Sequence, residues 1–454
     1  MRAALKTEVH LSRVLLCVVN QVPLGRGFGM ARFEIEKVHA RQILDCRGEP
    51  TVQVEVVTSG GVMGRADVPQ GRSTGMYEAH VLKDNEAEYG GRSVKKAVDN
   101  VVTLVGPKLR GMDVRNQAAI DGRMIELDGT ENKSKLGANA IVGVSLATAR
   151  AAANALQVPL YRYVGGPSAH VLPVPLLNYI NGGKLAATDL DFQEHIIMPV
   201  GARTFSEALR IGVEVYSHLG LMLAKKYSKY VLNTADEGGY TPPMRDPREA
   251  LDAELKAIEE LGYSKEFVLA LDCAATHLYD KRTQRYTLMR KEITREELID
   301  FYDDLVKAYP LASIEDPLEE NDFEGFKEVT SSLKIQIVGD DLFVTNVKRL
   351  KKGIEMGAAN TLLWKVNQVG TMTEALQAAN LAFSSGYGVQ VSERSGQTED
   401  TWLADLAVAL NAGQIKTGAP CRSERVAQYN RLLQIEEELG ASASYPGKSF
   451  MKPF

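Results

Sequence analysis

Ala312-Ser313-Ile314-Glu315-Asp316-Pro317 and Ile335-Gln336-Ile337-Val338-Gly339-Asp340-Asp341 share one design, a short apolar run that ends in a pair of acids. A run of that length, bounded by polar residues, fits a strand buried on both faces. The design recurs in both directions along the chain. Apolar runs at 231–234, 267–271, 361–364, 388–391 and 414–415 lead into Asp236-Glu237, Asp272, Lys365, Glu393-Arg394 and Lys416. Amphipathic helical stretches lie between them. Several open on a Thr-x-x-Glu pair, at Thr204, Thr294 and Thr371, where threonine and glutamate satisfy free amides of the first turn. Strand and helix in alternation predict a parallel sheet, and seven such units between residues 172 and 435 predict its closure into a barrel. A parallel barrel gathers the C-terminal ends of its strands on one rim, where barrel enzymes place their active sites. The charged strand ends are therefore expected to face one another.

Upstream of the barrel the texture is different. Ile35 and Val38, then Val52, Val54 and Val56, then Val62 and Val68 fall in three runs separated by Arg47-Gly48-Glu49-Pro50 and Ser59-Gly60-Gly61, which predicts a three-stranded antiparallel meander. Alanines and aliphatics at intervals of three to four residues predict a helix over 138–156. Strands followed by helices make a small α+β domain. The expected organisation is thus a TIM-like α/β barrel over 167–440, preceded by an α+β capping domain over 30–166 and followed by a tail over 441–454. Residues 1–29 read as an extension without a fold of its own, or as upstream of a true start at Met30.

With 44% hydrophobic and 24% charged residues, the composition is that of a globular protein and excludes disorder, collagen and small disulfide scaffolds. The 53 basic and 58 acidic residues leave a net charge of -5, which offers no attraction for nucleic acid or anionic lipid. Cys17, Cys46, Cys273 and Cys421 lie far apart with no C-x-x-C pair, so a reducing cytoplasm is the expected setting. The apolar run Val14 to Val19 is too short to span a membrane.

Asp272, Glu315 and Asp340, arriving from three strands, would place three like charges within a few ångströms, and such a cluster needs a cation. All-oxygen ligands favour a hard ion, Mg²⁺ first. Lys365 would stand beside that cluster at the mouth of the apolar strand Thr361-Leu362-Leu363-Trp364. Desolvation and nearby cations are expected to lower its pKa and make it a general base for a proton α to a carboxylate.

Longer motifs accompany these residues. They include Ser73-Thr74-Gly75, Leu136-Gly137-Ala138-Asn139-Ala140, Asn181-Gly182-Gly183-Lys184, Phe192-Gln193-Glu194, Asp236-Glu237-Gly238-Gly239, Lys365-Val366-Asn367-Gln368 and Ile415-Lys416-Thr417-Gly418-Ala419-Pro420. With them the chain resembles the enolases from about Phe33 to Gly440. The resemblance implies a Mg²⁺-dependent carbon–oxygen lyase that dehydrates 2-phosphoglycerate to phosphoenolpyruvate, in an enolase-type barrel and a homodimer or higher oligomer. Carried over by residue, it implies Asp272, Glu315 and Asp340 as ligands of a first Mg²⁺, and Ser73 on a closing loop as a ligand of a second. It implies Lys365 as the base at C2, and Glu237 assisted by Glu194 as the acid at the C3 hydroxyl. Arg394 and Ser395 would hold the phosphate, and Lys416 would face the substrate carboxylate.

Four positions break the family pattern. The loop usually reading Ser-Gly-Ala-Ser-Thr-Gly is Gln70-Gly71-Arg72-Ser73-Thr74-Gly75, and the turn Asp-Ser-Arg-Gly-Asn-Pro is Asp45-Cys46-Arg47-Gly48-Glu49-Pro50. The two usual active-site histidines are Leu185 and Glu393. Glu393 adds a negative charge beside the expected phosphate, and Arg72 is expected to swing to the rim and neutralise it. The changes leave open an alternative, an enolase-like enzyme with another phosphorylated or phosphonate acid as substrate, such as a carboxyphosphonoenolpyruvate synthase. A protein that inherited the fold alone would have lost Lys365 or a metal ligand, and this chain keeps both.

Overall fold

The computed structural model describes residues 32–72 and 74–450. The extension over 1–29 and the expected ligand Ser73 lie outside the described residues. Three antiparallel strands open the fold as expected: β1 (Ile35–Leu44), β2 (Pro50–Thr58) and β3 (Met63–Asp67). Val38, Ala40 and Gln42 of β1 stand opposite Val56, Val54 and Val52 of β2. The three valines of β2 are fully buried. Helix Ala138–Ala155 covers them. It approaches so closely that a β-carbon on Gly143 would meet Val54 Cγ2 at 2.5 Å, and one on Gly64 the Ala147 carbonyl oxygen at 2.2 Å. Glycine at these two points is what lets helix and sheet touch.

Eight strands close the barrel: β4 (Val174–Asn181), β5 (Glu194–Met198), β6 (Val268–Asp272), β10 (Leu311–Glu315), β11 (Gln336–Gly339), β12 (Thr361–Trp364), β13 (Gly388–Ser392) and β14 (Gln414–Lys416). A small separate sheet, β7 (Tyr279–Asp280), β8 (Arg285–Leu288) and β9 (Lys291–Ile293), follows β6. All barrel pairs are parallel except two, because β5 runs against both β4 and β6. One expectation is corrected here. The run 231–234 is no strand: Lys229–Leu232 forms a tight 3₁₀ turn, with Tyr230 83% exposed. The barrel begins with β4, a fully buried strand that carries Pro175, and with the reversed β5, the antiparallel start that the enolase resemblance implies.

The helix caps follow the threonine signal in part. Thr294 and Glu297 make a reciprocal capping box, and Asp246 with Glu249 makes a second one that the Thr-x-x-Glu search could not find. At Thr204 and Thr371 only the threonine caps, because Glu207 turns to the Arg203 amide and Glu374 to the Thr371 hydroxyl. The stretch expected as a tail is tied down through residue 450: Ser444 bonds the backbone of His170 and Leu172, and Tyr445 donates to the Pro199 carbonyl at 2.9 Å. Among the described residues, no single helix is long and apolar enough to cross a membrane.

One buried carboxyl group in this frame serves no visible purpose. Glu254, on helix Pro247–Glu260, is fully buried and neither of its carboxylate oxygens has a partner. Burial lifts its pKa well above the ordinary 4.5. The folded protein therefore keeps a proton that the unfolded chain releases above about pH 4.5, and stability falls as pH rises from there. Glu254→Leu is expected to stabilise the protein at pH 7 by about 1–3 kcal/mol and to flatten that slope, as read by denaturant melts at pH 5 and 8. A variant no more stable than the parent at pH 8 would refute this.

Candidate active site

The rim is assembled as the strand ends predict. Asp272, Glu315 and Lys416 are the last residues of β6, β10 and β14, while Asp340, Lys365 and Glu393 follow β11, β12 and β13 directly. Glu194 reaches the same rim by a different route. It is the first residue of β5, and because that strand is reversed its start lies where its neighbours end, opposite Asp272. A cleft of about 30 Å³ is lined by Glu194, Glu237, Asp272, Asp340 and Glu393 together with Lys365, Arg394 and Lys416, so five acids face three cations.

Lys416 sits at the centre of the acids. Its Nζ lies 2.8 Å from Asp272 Oδ2, 2.9 Å from Glu315 Oε2 and 2.9 Å from Glu194 Oε1. Burial opposes its charge, yet the three carboxylates hold its pKa well above the ordinary value. The acids share that one cation unequally. Burial also works against Asp272, but Lys416 keeps its pKa below the usual range. Glu315 is pushed up to about 8 by burial and by the charge of Asp272, and its Oε1 has no partner. Glu194 is pushed well up by burial and by Glu237, with Lys416 opposing. Glu237 accepts from Asn178 Nδ2 at 3.0 Å.

Lys365 Nζ pairs with Asp340 Oδ2 at 2.6 Å, and Gln368 Nε2 donates to Asp340 Oδ1 at 2.7 Å. The expected lowering of its pKa is not what this arrangement produces. Burial is the strongest single influence and lowers it, as do Arg394 and Lys416, but the charges of Asp340 and Glu315 together leave the net direction upward. Asp340 is aimed by Asp316, whose two carboxylate oxygens accept the backbone N–H groups of Asp340 and Asp341 at 2.8 Å each. Asp316, Asp340 and Asp341 bring one carboxylate oxygen each within 4.8 Å of one another, so Asp340 shares its closest acid grouping with these neighbours and not with the expected Asp272 and Glu315.

The pairing expected between Arg72 and Glu393 is absent. Arg72 turns instead to Asp236, at 3.0 Å, and its backbone N–H donates to Ser395 Oγ at 2.8 Å. The counter-ion of Glu393 is Arg425, a residue that no strand end or motif had singled out. Arg425 pairs with Glu393 Oε2, and Thr417 Oγ1 donates to the same oxygen at 3.1 Å. Burial raises the Glu393 carboxyl, the paired Arg425 opposes that rise, and Glu237 adds to it. Arg394 takes a two-point grip on Glu78, at 2.8 and 3.1 Å, which the sequence had not suggested either. Leu185 is buried and lies away from the cleft lining, and nothing in the structure explains why leucine stands there.

The donor set suits a hard divalent cation. Asp272, Glu315 and Asp340 offer only oxygen, Glu315 Oε1 is buried without a partner, and the acids outnumber the cations around them. The lysines now on those carboxylates, Lys416 and Lys365, mark where positive charge is in demand.

Comparison with known proteins agrees with this geometry. Residues 35–164 match the family model described as the N-terminal domain of enolase, and residues 169–454 match its C-terminal TIM barrel domain. The chain is 59% identical over 424 residues to an enolase of Methanopyrus kandleri, covering 92% of this chain and 99% of that one. It is 57% identical over 423 residues to an enolase of Methanocaldococcus jannaschii and 58% over 426 to one of Thermococcus gammatolerans, each alignment covering 93% of this chain and 99% of the relative.

Proposed function

The chain belongs to the enolase family and dehydrates 2-phosphoglycerate to phosphoenolpyruvate, and we propose that Lys365, Glu237 and Glu194 divide the proton transfers of that reaction. The observation that supports this division is the meeting of Lys365, Glu194 and Glu237 with the Asp272 and Asp340 carboxylates at one small cleft, with Glu315 bound to the same Lys416 as Asp272. Lys365 takes the proton from C2. To do so it must first lose its own, and the Asp340 carboxylate that now holds the ammonium would hold it less firmly if it served a divalent cation instead. Glu194 stores the proton that the leaving hydroxyl needs, and Glu237 delivers it to the C3 oxygen, which departs as water.

Asp272, Glu315 and Asp340 hold one Mg²⁺ in this reading, and Ser73 belongs to a second site. Mg²⁺ supplies positive charge where negative charge builds on the substrate carboxylate. Lys416 adds a fixed ammonium beside it. Arg394 and Ser395 take the phosphate, since the guanidinium already displays on Glu78 the two-point geometry that a phosphate accepts. The neutralisation of Glu393 by Arg425 removes the charge argument for a different acid substrate. A homodimer or higher oligomer and a cytoplasmic setting belong to the same proposal, the latter supported by unpaired Cys46, Cys273 and Cys421.

The test is an assay of the purified protein with 2-phosphoglycerate, following the absorbance of the enolpyruvate product. Turnover is expected with Mg²⁺, and its loss after chelation should be reversed by added Mg²⁺. Turnover unaffected by exhaustive chelation would overturn the metal assignment, and no turnover under any divalent cation would overturn the proton-transfer roles.

A further inference from the structure

Arg425 lies near the start of helix Ser423–Leu439, is 0% exposed, and touches neither the lysines nor the three proposed metal ligands. Its guanidinium is spent on the backbone of the rim. Nη1 donates to the Arg394 carbonyl at 2.9 Å, and Nη2 donates to the carbonyls of Ser395 at 2.7 Å and Asp236 at 3.1 Å. Nη1 also pairs with Glu393 Oε2, and Nε stands 3.5 Å from Glu424. These carbonyls belong to two separate loops. One carries Arg394 and Ser395, proposed above to hold the phosphate, and the other carries Glu237, proposed as the acid at C3. A planar fork with five N–H groups can bind several acceptors in fixed directions, which an ammonium on a flexible stem cannot. Carbonyl oxygens alone do not balance a buried charge, and the Glu393 carboxylate does.

We propose that Arg425 is a positioning residue for the reaction, which locks the Glu393–Ser395 loop to the Asp236–Glu237 turn so that the phosphate ligand and the acid address the same substrate molecule. Glu393 is the counter-ion that keeps Arg425 charged in its buried seat. This inference rests on the phosphate role of Arg394 and the acid role of Glu237. It predicts a particular imbalance. Lys365 and Asp340 come from strands that Arg425 does not bond, so abstraction of the C2 proton depends on it less than phosphate binding and elimination do.

The experiment uses the full chain with Mg²⁺ and compares Arg425→Lys with the parent in three readings: C2-proton exchange, elimination, and inhibition by inorganic phosphate. Arg425→Lys is expected to lower elimination by about 100-fold, the cost of misplacing groups by about 1 Å. Exchange at saturating substrate should stay within about tenfold of the parent, and the phosphate inhibition constant should rise about tenfold or more. Equal loss of exchange and elimination, in step with the folded fraction read by circular dichroism, would reduce Arg425 to a structural residue and overturn the proposal. So would a folded variant unchanged in all three.

Should Arg425→Lys fail to fold, Glu393→Gln with Arg425→Met removes both charges together and is expected to fold, since an apolar replacement of a buried pair is often neutral. It should show the same imbalance between exchange and elimination, and parental elimination in that folded double variant would overturn the proposal. Arg394→Gln serves as the control for the underlying reading. If it leaves phosphate inhibition at the parental value, the phosphate assignment has failed, whatever Arg425 does.

Discussion

In Lys365→Ala, exchange of the C2 proton of 2-phosphoglycerate with solvent stops while Mg²⁺ still binds. The expectation follows from Lys365 Nζ lining the cleft, paired with the Asp340 carboxylate at 2.6 Å. Without it Asp340 loses a competitor for the cation, so metal affinity should hold or increase. In Glu237→Gln the pattern reverses, because exchange persists and elimination fails. Each loss should fall in the range of about 10²–10⁴-fold that positioned acids and bases contribute. Exchange and elimination are read by proton NMR in deuterated buffer and by product absorbance. Parental elimination in either variant would contradict the assigned roles.

The second large effect concerns stability. Lys416→Met strips the counter-charge from Glu194, Asp272 and Glu315 at once, all of them almost fully buried. Leaving buried charges without a partner costs about 3–5 kcal/mol, so the metal-free variant should melt well below the parent at pH 7–8. Lys416 has a folded pKa raised above its unfolded value, so its contribution is fully present at neutral pH. As pH falls, the three carboxylates left behind take up protons and the gap between variant and parent should shrink. Mg²⁺ should restore part of the loss by binding the folded state alone. A metal-free variant as stable as the parent at pH 8 would show that the three carboxylates do not need this lysine.

Asp272, Glu315, Asp340, Lys365, Glu393 and Lys416 could be found in the sequence because a parallel strand delivers its last residue to the catalytic rim, and each stands at or just past the end of an apolar run. Glu194 breaks that rule by beginning its strand, and only the reversed direction of β5 makes the first residue the useful one. For Glu194 the family resemblance supplied what the run pattern could not. Periodicity failed at Val231–Leu232 because two aliphatic residues beside an exposed tyrosine imitate a strand over so short a span. Arg425 was out of reach for another reason. It lies in a helix 32 residues beyond the acid it neutralises, and nothing local records a tertiary pairing. A signal did exist in Glu393 itself, since an acid placed beside a phosphate site requires a counter-charge. The sequence offered Arg72 as the nearer cation in the motifs, and backbone geometry sent that side chain to Asp236.

The seam of the barrel has a consequence for how the chain folds. β14 closes the ring by pairing Gln414 with Val174, 240 residues earlier, so the first barrel strand synthesised must wait for the last. Until then β4 and β13 present open edges to solvent, the condition in which strands associate wrongly. The same final strand carries Lys416, and with it the one ammonium among the described residues that pairs with Glu194, Asp272 and Glu315. Before β14 docks, those three acids repel one another and resist a tight barrel. Once it docks, the edge is sealed and the repulsion quenched in a single event. Ring closure thus has an electrostatic side as well as a topological one, and a nascent chain released before residue 416 has neither the seal nor the charge to complete the barrel.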